Sequence, residues 1–440
     1  MTADPFHMAF FTSYTVSGPG KPWAGRVSTE WRTGRYWADI ARQLEDACFD
    51  AIVCEDQCFI EDTYGGSIDY YVRNGIGAVK QDPAVLATIF ALATSHIGIV
   101  PTMNITEYPP YLLARLMSTL DHVSGGRAGW NVVTGHSGAG ARNYGMDDLP
   151  PHNVRYEMAA EYMELANQLW RSWDVDALMT DMASGMFADP AKVHRLDFVG
   201  KYYKCQGPLN NSRSPQETPV IFQAGASPQG RDFASHYADA IVGGMTGPAA
   251  MKAYRDDVRA RAVRHGRSAD DVKIFFQVCP ILGATMEEAR EKERQIIAEA
   301  ESRIDAGLVM ITMATGADLS GFPLDMPMSE IATKAATDYG QSSLQDIFRH
   351  AGDSTLRQFV TSPPRWRIFH PVGTPDSVAG EMAELMEETG GDGFLVNIMG
   401  ETHRHRLAEI TDGLVPALQK RGSMRKGYDG ATFRENLRSF

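Results

Sequence analysis

The sequence has 440 residues, of which 43% are hydrophobic and 22% charged, and its formal net charge is −13. This is the composition of a globular protein, and the acidic balance argues against nucleic acid or an anionic membrane as the main partner, because both attract cationic surfaces. We expect a cytoplasmic protein, since no apolar run approaches the roughly 20 residues of a membrane span and the first residues lack a signal-peptide pattern.

Eight short apolar runs alternate with helical patterns along the chain. After the first run, Trp37, Ile40 and Leu44 share one helical face. After the third run, one helical face carries Leu112, Leu116 and Leu120. Thr285 with Glu288 is a capping-box pattern, which predicts the start of a late helix. We predict strands over 7–12, 50–56, 97–102, 127–133, 219–225, 239–244, 272–282 and 392–399.

The alternation of strands and helices predicts an α/β protein with a parallel sheet. Because eight is the number of strands that closes such a sheet, we expect a (β/α)8 TIM barrel in a single domain over 1–440. Three stretches are longer than ordinary connections, which indicates functional insertions, and we expect them to cover the open end of the barrel: about 57–81, 174–218 and 305–370.

The five cysteines are few and odd in number, so we expect reduced thiols. Cys54 and Cys58 are close in sequence, but no second close pair completes a zinc site. The sequence therefore predicts neither a disulfide framework nor a metal centre.

Polar side chains fall where the strands end, which is where barrel active sites lie. Asp56 follows the second strand and is a candidate catalytic base, metal ligand or acceptor for a ligand, although the spacing offers no second carboxylate for a metal. Thr102 ends the third strand. His136 follows the fourth strand and is either catalytic or a hydrogen-bonded structural residue. Candidates for lining a substrate pocket are Phe11, Phe59 and Met245.

The run "QAGASPQGR" (223–231) ends a strand, turns at Gly225, Ala226 and Ser227, and begins a helix. Free N–H groups at a helix start together with a hydroxyl group can bind a phosphate, but an ordinary turn with a serine cap has the same pattern. His152 and Tyr156 lie four residues apart at the start of another helix, on one face of it. Either both donate to the same phosphate, or this helix start simply faces solvent.

Several long motifs resemble one family. These are "GWNVVTG" (129–135), "FADPAKVH" (187–194) and "TPVIFQAGASPQGRDFAS" (218–235). They are similar to the nitrilotriacetate, pristinamycin and dibenzothiophene-sulfone monooxygenase group of the bacterial-luciferase-like flavin monooxygenase family.

The resemblance implies an FMNH2-dependent oxygenase of a two-component system. FMN, reduced by a separate NAD(P)H:flavin reductase, would react with O2 through a flavin C4a-(hydro)peroxide and oxygenate a bulky small molecule. The substrate is expected to be aromatic or to contain sulfur, nitrogen or halogen. Homodimers or homotetramers are usual among such proteins.

The resemblance also assigns residues. Asp56, Thr102, His152, Tyr156 and Ser227 match FMN contacts, and His136 matches a position thought to assist catalysis. Asn131 and Thr134, on the strand that ends the first motif, would pass beside the flavin. Glycines 125, 126 and 129 would permit the sharp turn into that strand and tight packing around it.

The chain departs from the family pattern at two places. Ala314 in "ITMATG" stands where several members carry a histidine, and the loop "FFTSYTVSGPG" also lacks one. Either His136 alone handles protons, or the reaction needs no proton handling by the protein. Two alternatives stay open, namely a deazaflavin (F420)-dependent dehydrogenase on the same barrel and a flavin-binding protein without activity.

Overall fold

The computed structural model describes residues 5–14, 30–334, 351–362, 368–398 and 404–440. Eight strands form a closed barrel, in which each strand pairs in parallel with its neighbours in chain order and the last pairs with the first. This confirms the predicted TIM barrel. The strands are β1 His7–Ser13, β2 Ala51–Glu55, β3 Gly98–Asn104, β4 Gly129–Val133, β5 Val220–Gln223, β6 Ala240–Gly243, β7 Lys273–Val278 and β8 Gly393–Val396.

Helices follow the strands and cover the outside of the barrel. In chain order they are α1 Gly34–Asp46, α2 Asp69–Asn74, α3 Pro83–Ala93, α4 Pro110–Ser124, α5 Gly138–Asn143, α6 His152–Trp170, α7 Pro228–Tyr237, α8 Pro248–Arg264, α9 Met286–Ser302, α10 Ile304–Thr315, α11 Met328–Lys334, α12 Leu356–Thr361, α13 Pro375–Thr389, α14 Arg404–Ala408, α15 Val415–Arg421 and α16 Phe433–Leu437. No helix within these described ranges is long and apolar enough to cross a membrane.

Two details of the sequence prediction are wrong. The predicted seventh strand over 272–282 breaks at Val278, and Ile281–Leu282 pairs with Val372–Gly373 outside the barrel. Pro280 lies at the break and has no N–H to continue the ladder. On α4, Leu112 is exposed, and the buried face is formed by Leu113, Met117 and Leu120.

The barrel interior is filled by small and aromatic side chains, and the last helix closes its amino-terminal end. Phe433 of α16 packs under the first residues of β3 and β4. A Cβ on Gly98 would lie 2.5 Å from the Phe433 ring, and a Cβ on Gly129 would lie 2.8 Å from Val100 Cγ2. Both positions therefore require glycine for close packing. The tight packing predicted around Gly129 is therefore present in the structure.

The turn into β4 is fixed by left-handed glycines and a buried cation. Gly125 ends α4 with φ +67°, and Gly126 follows with φ +88°. The Arg127 guanidinium then donates to the carbonyls of Ser124, Ala91, Thr94 and Ile97 and to the Thr94 hydroxyl, at 2.7 to 3.1 Å. Arg127 thus ties the ends of α3 and α4 to the base of the barrel.

The long connections carry regular structure of their own. In the second, Leu178–Asp181 pairs antiparallel with Met186–Ala188, and Phe198–Val199 pairs with Lys204–Cys205. Parts of the first and third connections pack together, because Tyr71, Ile76 and Val309 form one buried apolar cluster. Ala314 lies partly buried against a neighbouring apolar cluster in the third connection. The five cysteines are free thiols, as predicted.

Candidate active site at the carboxyl ends of the strands

Two adjacent carboxylates at the end of β2 have different surroundings. Glu55 contacts the Lys80 ammonium group through both oxygens and accepts a hydrogen bond of 2.8 Å from the Ser13 hydroxyl. Burial alone would raise the pKa of Glu55, but Lys80 and Ser13 outweigh it and lower that pKa. Asp56 accepts a hydrogen bond of 3.3 Å from the Cys58 thiol, and burial raises the pKa of Asp56 to about 6. A fraction of Asp56 is therefore protonated near neutral pH.

Another carboxylate, that of Glu107, lies beside Asp56, and the sequence spacing does not reveal it. Glu107 follows β3, and its Oε1 accepts a hydrogen bond of 2.9 Å from Asn104 Nδ2. One side-chain oxygen or sulfur atom from each of Asp56, Cys58 and Glu107 lies within 4.8 Å of the others. Glu107 belongs to the connection after β3, and the parallel pairing of β2 with β3 brings it beside Asp56.

The middle of the site is formed by the pairing of β3 with β4. Thr102 lies opposite Asn131 in the ladder, and Asn131 Nδ2 donates to Thr102 Oγ1 at 2.8 Å. Both side chains are buried. The structure thus brings together two of the predicted residues, with their polar groups bonded to one another.

His136 lies just beyond β4 at the edge of the same region. Its side chain is 50% exposed, and its Nε2 atom lies 3.8 Å from Oε1 of Glu61, whose side chain is only 4% exposed. The Phe59 ring packs beside it, with ring centroids 5.3 Å apart. Sequence reasoning missed Glu61, because it lies inside a long connection with no periodic pattern.

A pocket opens between these strand ends. Asp56, Thr102, His136 and Phe59, all predicted, line it together; the remaining lining residues are Gln57, Asn104, Glu107, Val133, Gly135, Ser137 and Gly140. Phe11 packs against the cluster inside the barrel, and Met245 packs partly buried against the outer core. Neither of these two side chains lines the pocket.

The geometry at the start of α7 fits both an ordinary turn with a serine cap and a phosphate-binding site. Ser227 is the N-cap residue, and its Oγ accepts a hydrogen bond of 3.0 Å from the Gly230 N–H. Gly225 and Gly230 approach each other so closely that a Cβ on Gly225 would lie 2.8 Å from the Gly230 carbonyl carbon. A Cβ on Gly230 would lie 2.8 Å from the Tyr156 hydroxyl oxygen. The two glycines therefore allow α6 to place Tyr156 at the start of α7.

The first turn of α6 connects this region with the pocket. His152 is exposed and packs edge-on against Tyr156, with ring centroids 5.1 Å apart. Partial desolvation of the imidazole by neighbouring atoms, and secondarily Arg155, lower the pKa of His152. The Arg155 guanidinium donates to the carbonyls of Thr134 and Gly135, the second of which lines the pocket. The Tyr156 hydroxyl interacts with the side chains of Ser227 and Thr134, so these three residues form one continuous polar path with His152 packed beside it.

The residues on this path fit a phosphorylated polyhydroxyl ligand such as the tail of FMN. The start of α7 offers backbone donors and the positive end of the helix dipole. Gln223 Nε2 lies 3.4 Å from the Tyr156 hydroxyl, while Gln223 Oε1 is buried without a hydrogen-bond partner among the described residues. A buried acceptor without a donor is unfavourable, so this atom matches a hydroxyl donor supplied by a ligand. Sequence reasoning included Gln223 only as part of its strand.

The comparisons with known proteins agree with the barrel. Residues 8–393 match the luciferase-like monooxygenase family. Dibenzothiophene-sulfone monooxygenase from Rhodococcus erythropolis (strain XP) is 36% identical, over 98% of this chain and 96% of its own length. Nitrilotriacetate monooxygenase component A from Aminobacter aminovorans is 32% identical, over 92% of this chain and 89% of its own.

A solved structure of a riboflavin lyase, with modified FMN and riboflavin bound, superimposes with a TM-score of 0.87. It is 32% identical and is matched over 99% of this chain and 96% of its own. The family resemblance of the sequence is therefore confirmed. The chain belongs to the luciferase-like monooxygenase family and is a flavin-dependent monooxygenase.

Proposed function

We propose that the protein is the oxygenase component of a two-component system. It binds FMNH2 supplied by a separate NAD(P)H:flavin reductase and uses O2 to oxygenate a bulky small molecule. The observation that carries the proposal is the continuous polar path from Ser227 through Tyr156 and Thr134 to the pocket at Asp56. A phosphate at one end and a flavin ring at the other have the chemistry that this path offers.

Each end of the path has a distinct role in the proposal. The start of α7, with Gly225, Ala226 and Ser227, holds the phosphate, and His152 and Tyr156 donate to it. Thr102, Asn131 and Asp56 hold the ring and ribityl groups by hydrogen bonds. Reduced FMN supplies the electrons that activate O2 for transfer of one oxygen atom to the substrate.

His136 and the apolar side chains act on the substrate side. His136 is at the pocket edge, half exposed, where it can hold or release a proton beside a bound substrate. Phe59 lines the pocket. Phe11 and Met245, which lie outside this lining, remain proposed substrate contacts on β1 and beyond β6. The apolar cluster of Tyr71, Ile76 and Val309 joins the first and third long connections, which supports our assignment of both to a cover that excludes water.

The substrate, partner and assembly belong to the same proposal. The relatives are named for dibenzothiophene sulfone and nitrilotriacetate, so we propose a substrate containing an aromatic, sulfur, nitrogen or halogen group. The reductase is the transient protein partner, and the chain acts as a single-domain homodimer or homotetramer in the cytoplasm, where NAD(P)H is available. No metal is required by these roles.

The test uses the purified protein and a generic flavin reductase. We expect it to bind FMNH2 under anaerobic conditions and, with reductase, NADH and O2, to oxidise members of a panel of aromatic sulfones, amines, alkanes and haloaromatics. Omission of the reductase should abolish product formation. Binding of deazaflavin but not of FMN would favour the dehydrogenase alternative. FMN retention without oxygenation, unchanged by His136→Ala, would favour a binding protein.

A further inference from the structure

Two carboxyl groups of the pocket lining and an adjoining thiol lie within mutual reach, and the proposed function uses only one of these three groups. Cys58 donates to Asp56 Oδ2 at 3.3 Å, and Glu107 is held beside them by Asn104 at 2.9 Å. The three contributing atoms lie within 4.8 Å of one another. Asp56 and Glu107 line the pocket that we assign to the flavin ring, and Cys58 lies directly behind them through its hydrogen bond to Asp56.

The nearby cation is committed to a different carboxylate. Lys80 contacts both oxygens of Glu55, and its side chain is 10% exposed. Among the described residues no ion pair to Asp56 is present. Asp56 therefore lies beside Glu107 in a partly buried site, where burial disfavours the charged form of Asp56.

The thiol is in its protonated form. Burial raises the pKa of the Cys58 thiol above its ordinary value, and a thiol that donates a hydrogen bond is not a thiolate ligand. We therefore interpret the cluster as a group that shares protons and not as a metal centre. The same burial effect raises the pKa of Asp56 to about 6.

We propose that Asp56 holds one exchangeable proton at the end of β2, that the Cys58 thiol sets how strongly it is held, and that a bound flavin changes its occupancy. This inference rests on the proposed function, because the flavin ring is the ligand that we assign to the pocket. Asp56 then serves as a proton-handling group beside the flavin. At the position where several family members have a histidine, this chain has Ala314.

Other titratable groups face Asp56 and have to be kept constant in a test. They come from β2 and the first connection, from the connection after β3, and from the region between β4 and α6: Glu55, Lys80, Glu107, Tyr108, His136 and Tyr144. For this reason the test changes only Asp56 and Cys58.

The first experiment needs no flavin, so it separates this inference from the proposed function. Infrared difference spectra of the flavin-free protein between pH 4 and 8 report the protonated carboxyl band. We expect a component with a midpoint near 6 in the wild type, which is absent in Asp56→Asn and retained in Asp176→Asn, an exposed control. Cys58→Ala should move this midpoint up by about 0.5–1 pH unit, because a donor to the carboxylate is lost, and Cys58→Ser should restore it.

The second experiment counts protons during flavin binding. FMN is titrated calorimetrically near pH 6 in two buffers of different ionisation enthalpy. The FMN phosphate contributes equally to every variant, so the difference between wild type and Asp56→Asn reports Asp56 alone; we expect the wild type to exchange a fraction of a proton more. Circular dichroism of each variant checks that it is folded.

Three results of these two experiments would overturn the inference, and a metal analysis gives a fourth. They are a carboxyl midpoint below pH 4.5 for Asp56, a midpoint that Cys58→Ala leaves unchanged, and equal proton counts for wild type and Asp56→Asn. A stoichiometric metal lost in Cys58→Ala would also overturn it. If the first experiment succeeds and no FMN binds to any variant, the proposed function fails and the flavin-linked half of the inference fails with it.

Discussion

At the scale of single residues, Ser227 connects helix capping with ligand binding. Ser227→Asp places a negative charge where we assign the phosphate, while aspartate still caps α7. We expect FMN binding to weaken by about 1–3 kcal/mol, as charge-assisted hydrogen bonds are lost. The measurement is the FMN dissociation constant. Thr285→Asp makes the same change at the N-cap of α9 and should leave the FMN dissociation constant unaltered. Equal FMN affinity in both variants would contradict the assignment of the phosphate to the start of α7.

Asp56 makes a prediction about stability as a function of pH. Its pKa is raised by burial from the ordinary 3.8 to about 6, so between these values the folded protein binds a proton that the unfolded chain has released. The stability that this provides is fully present below pH 3.8 and is lost as the pH rises through 6. Asp56→Asn should therefore stabilise the protein by about 1–3 kcal/mol at pH 8 and have little effect at pH 4. Urea unfolding at both pH values measures this, and a stabilisation of equal size at both would contradict it.

At the scale of elements, Arg127 joins two helix ends and a strand. Its guanidinium group is buried, and its donors satisfy carbonyls of α3, α4 and the chain leading to β3. Arg127→Met leaves these acceptors without donors, so we expect the free energy of unfolding to fall by about 3–5 kcal/mol. Arg294 forms exposed ion pairs on α9, and Arg294→Met should cost less than about 1 kcal/mol. Similar losses in both variants would show that burial of Arg127 is not the cause.

The sequence predicted elements better than it predicted the contacts between them. The barrel strands were identifiable because each is apolar on both faces, and Asp56, Thr102 and His136 because they lie near or just beyond strand ends. Glu61 and Glu107 were missed because residue spacing reports only neighbours on one element, whereas Glu61 reaches His136 from the first long connection and Glu107 reaches the pocket from the short connection after β3. The seventh strand was predicted too long, since an apolar run does not show that Pro280 stops the hydrogen-bonded ladder.

At the scale of the whole molecule, the barrel depends on the last residues of the chain. Phe433 is fully buried beneath the strands. Phe433→Ala would leave a cavity there, and we expect a loss of about 3–5 kcal/mol in unfolding free energy, with FMN affinity retained in the folded fraction. Phe187 is 67% exposed, so Phe187→Ala is the matched control and should have little effect on stability. A large loss of FMN affinity in folded Phe433→Ala would contradict this separation of the two ends of the barrel.

Because α16 packs beneath the strands and β8 pairs with β1, the barrel closes between segments that lie far apart in the sequence. Until β8 joins it, one edge of β1 has no strand beside it and offers its backbone groups to any other strand. A chain whose α16 is detached keeps every residue of the flavin path but has an unsealed interior. Barrel closure is therefore a slow, non-local event, and association between copies competes with it until the ring is complete.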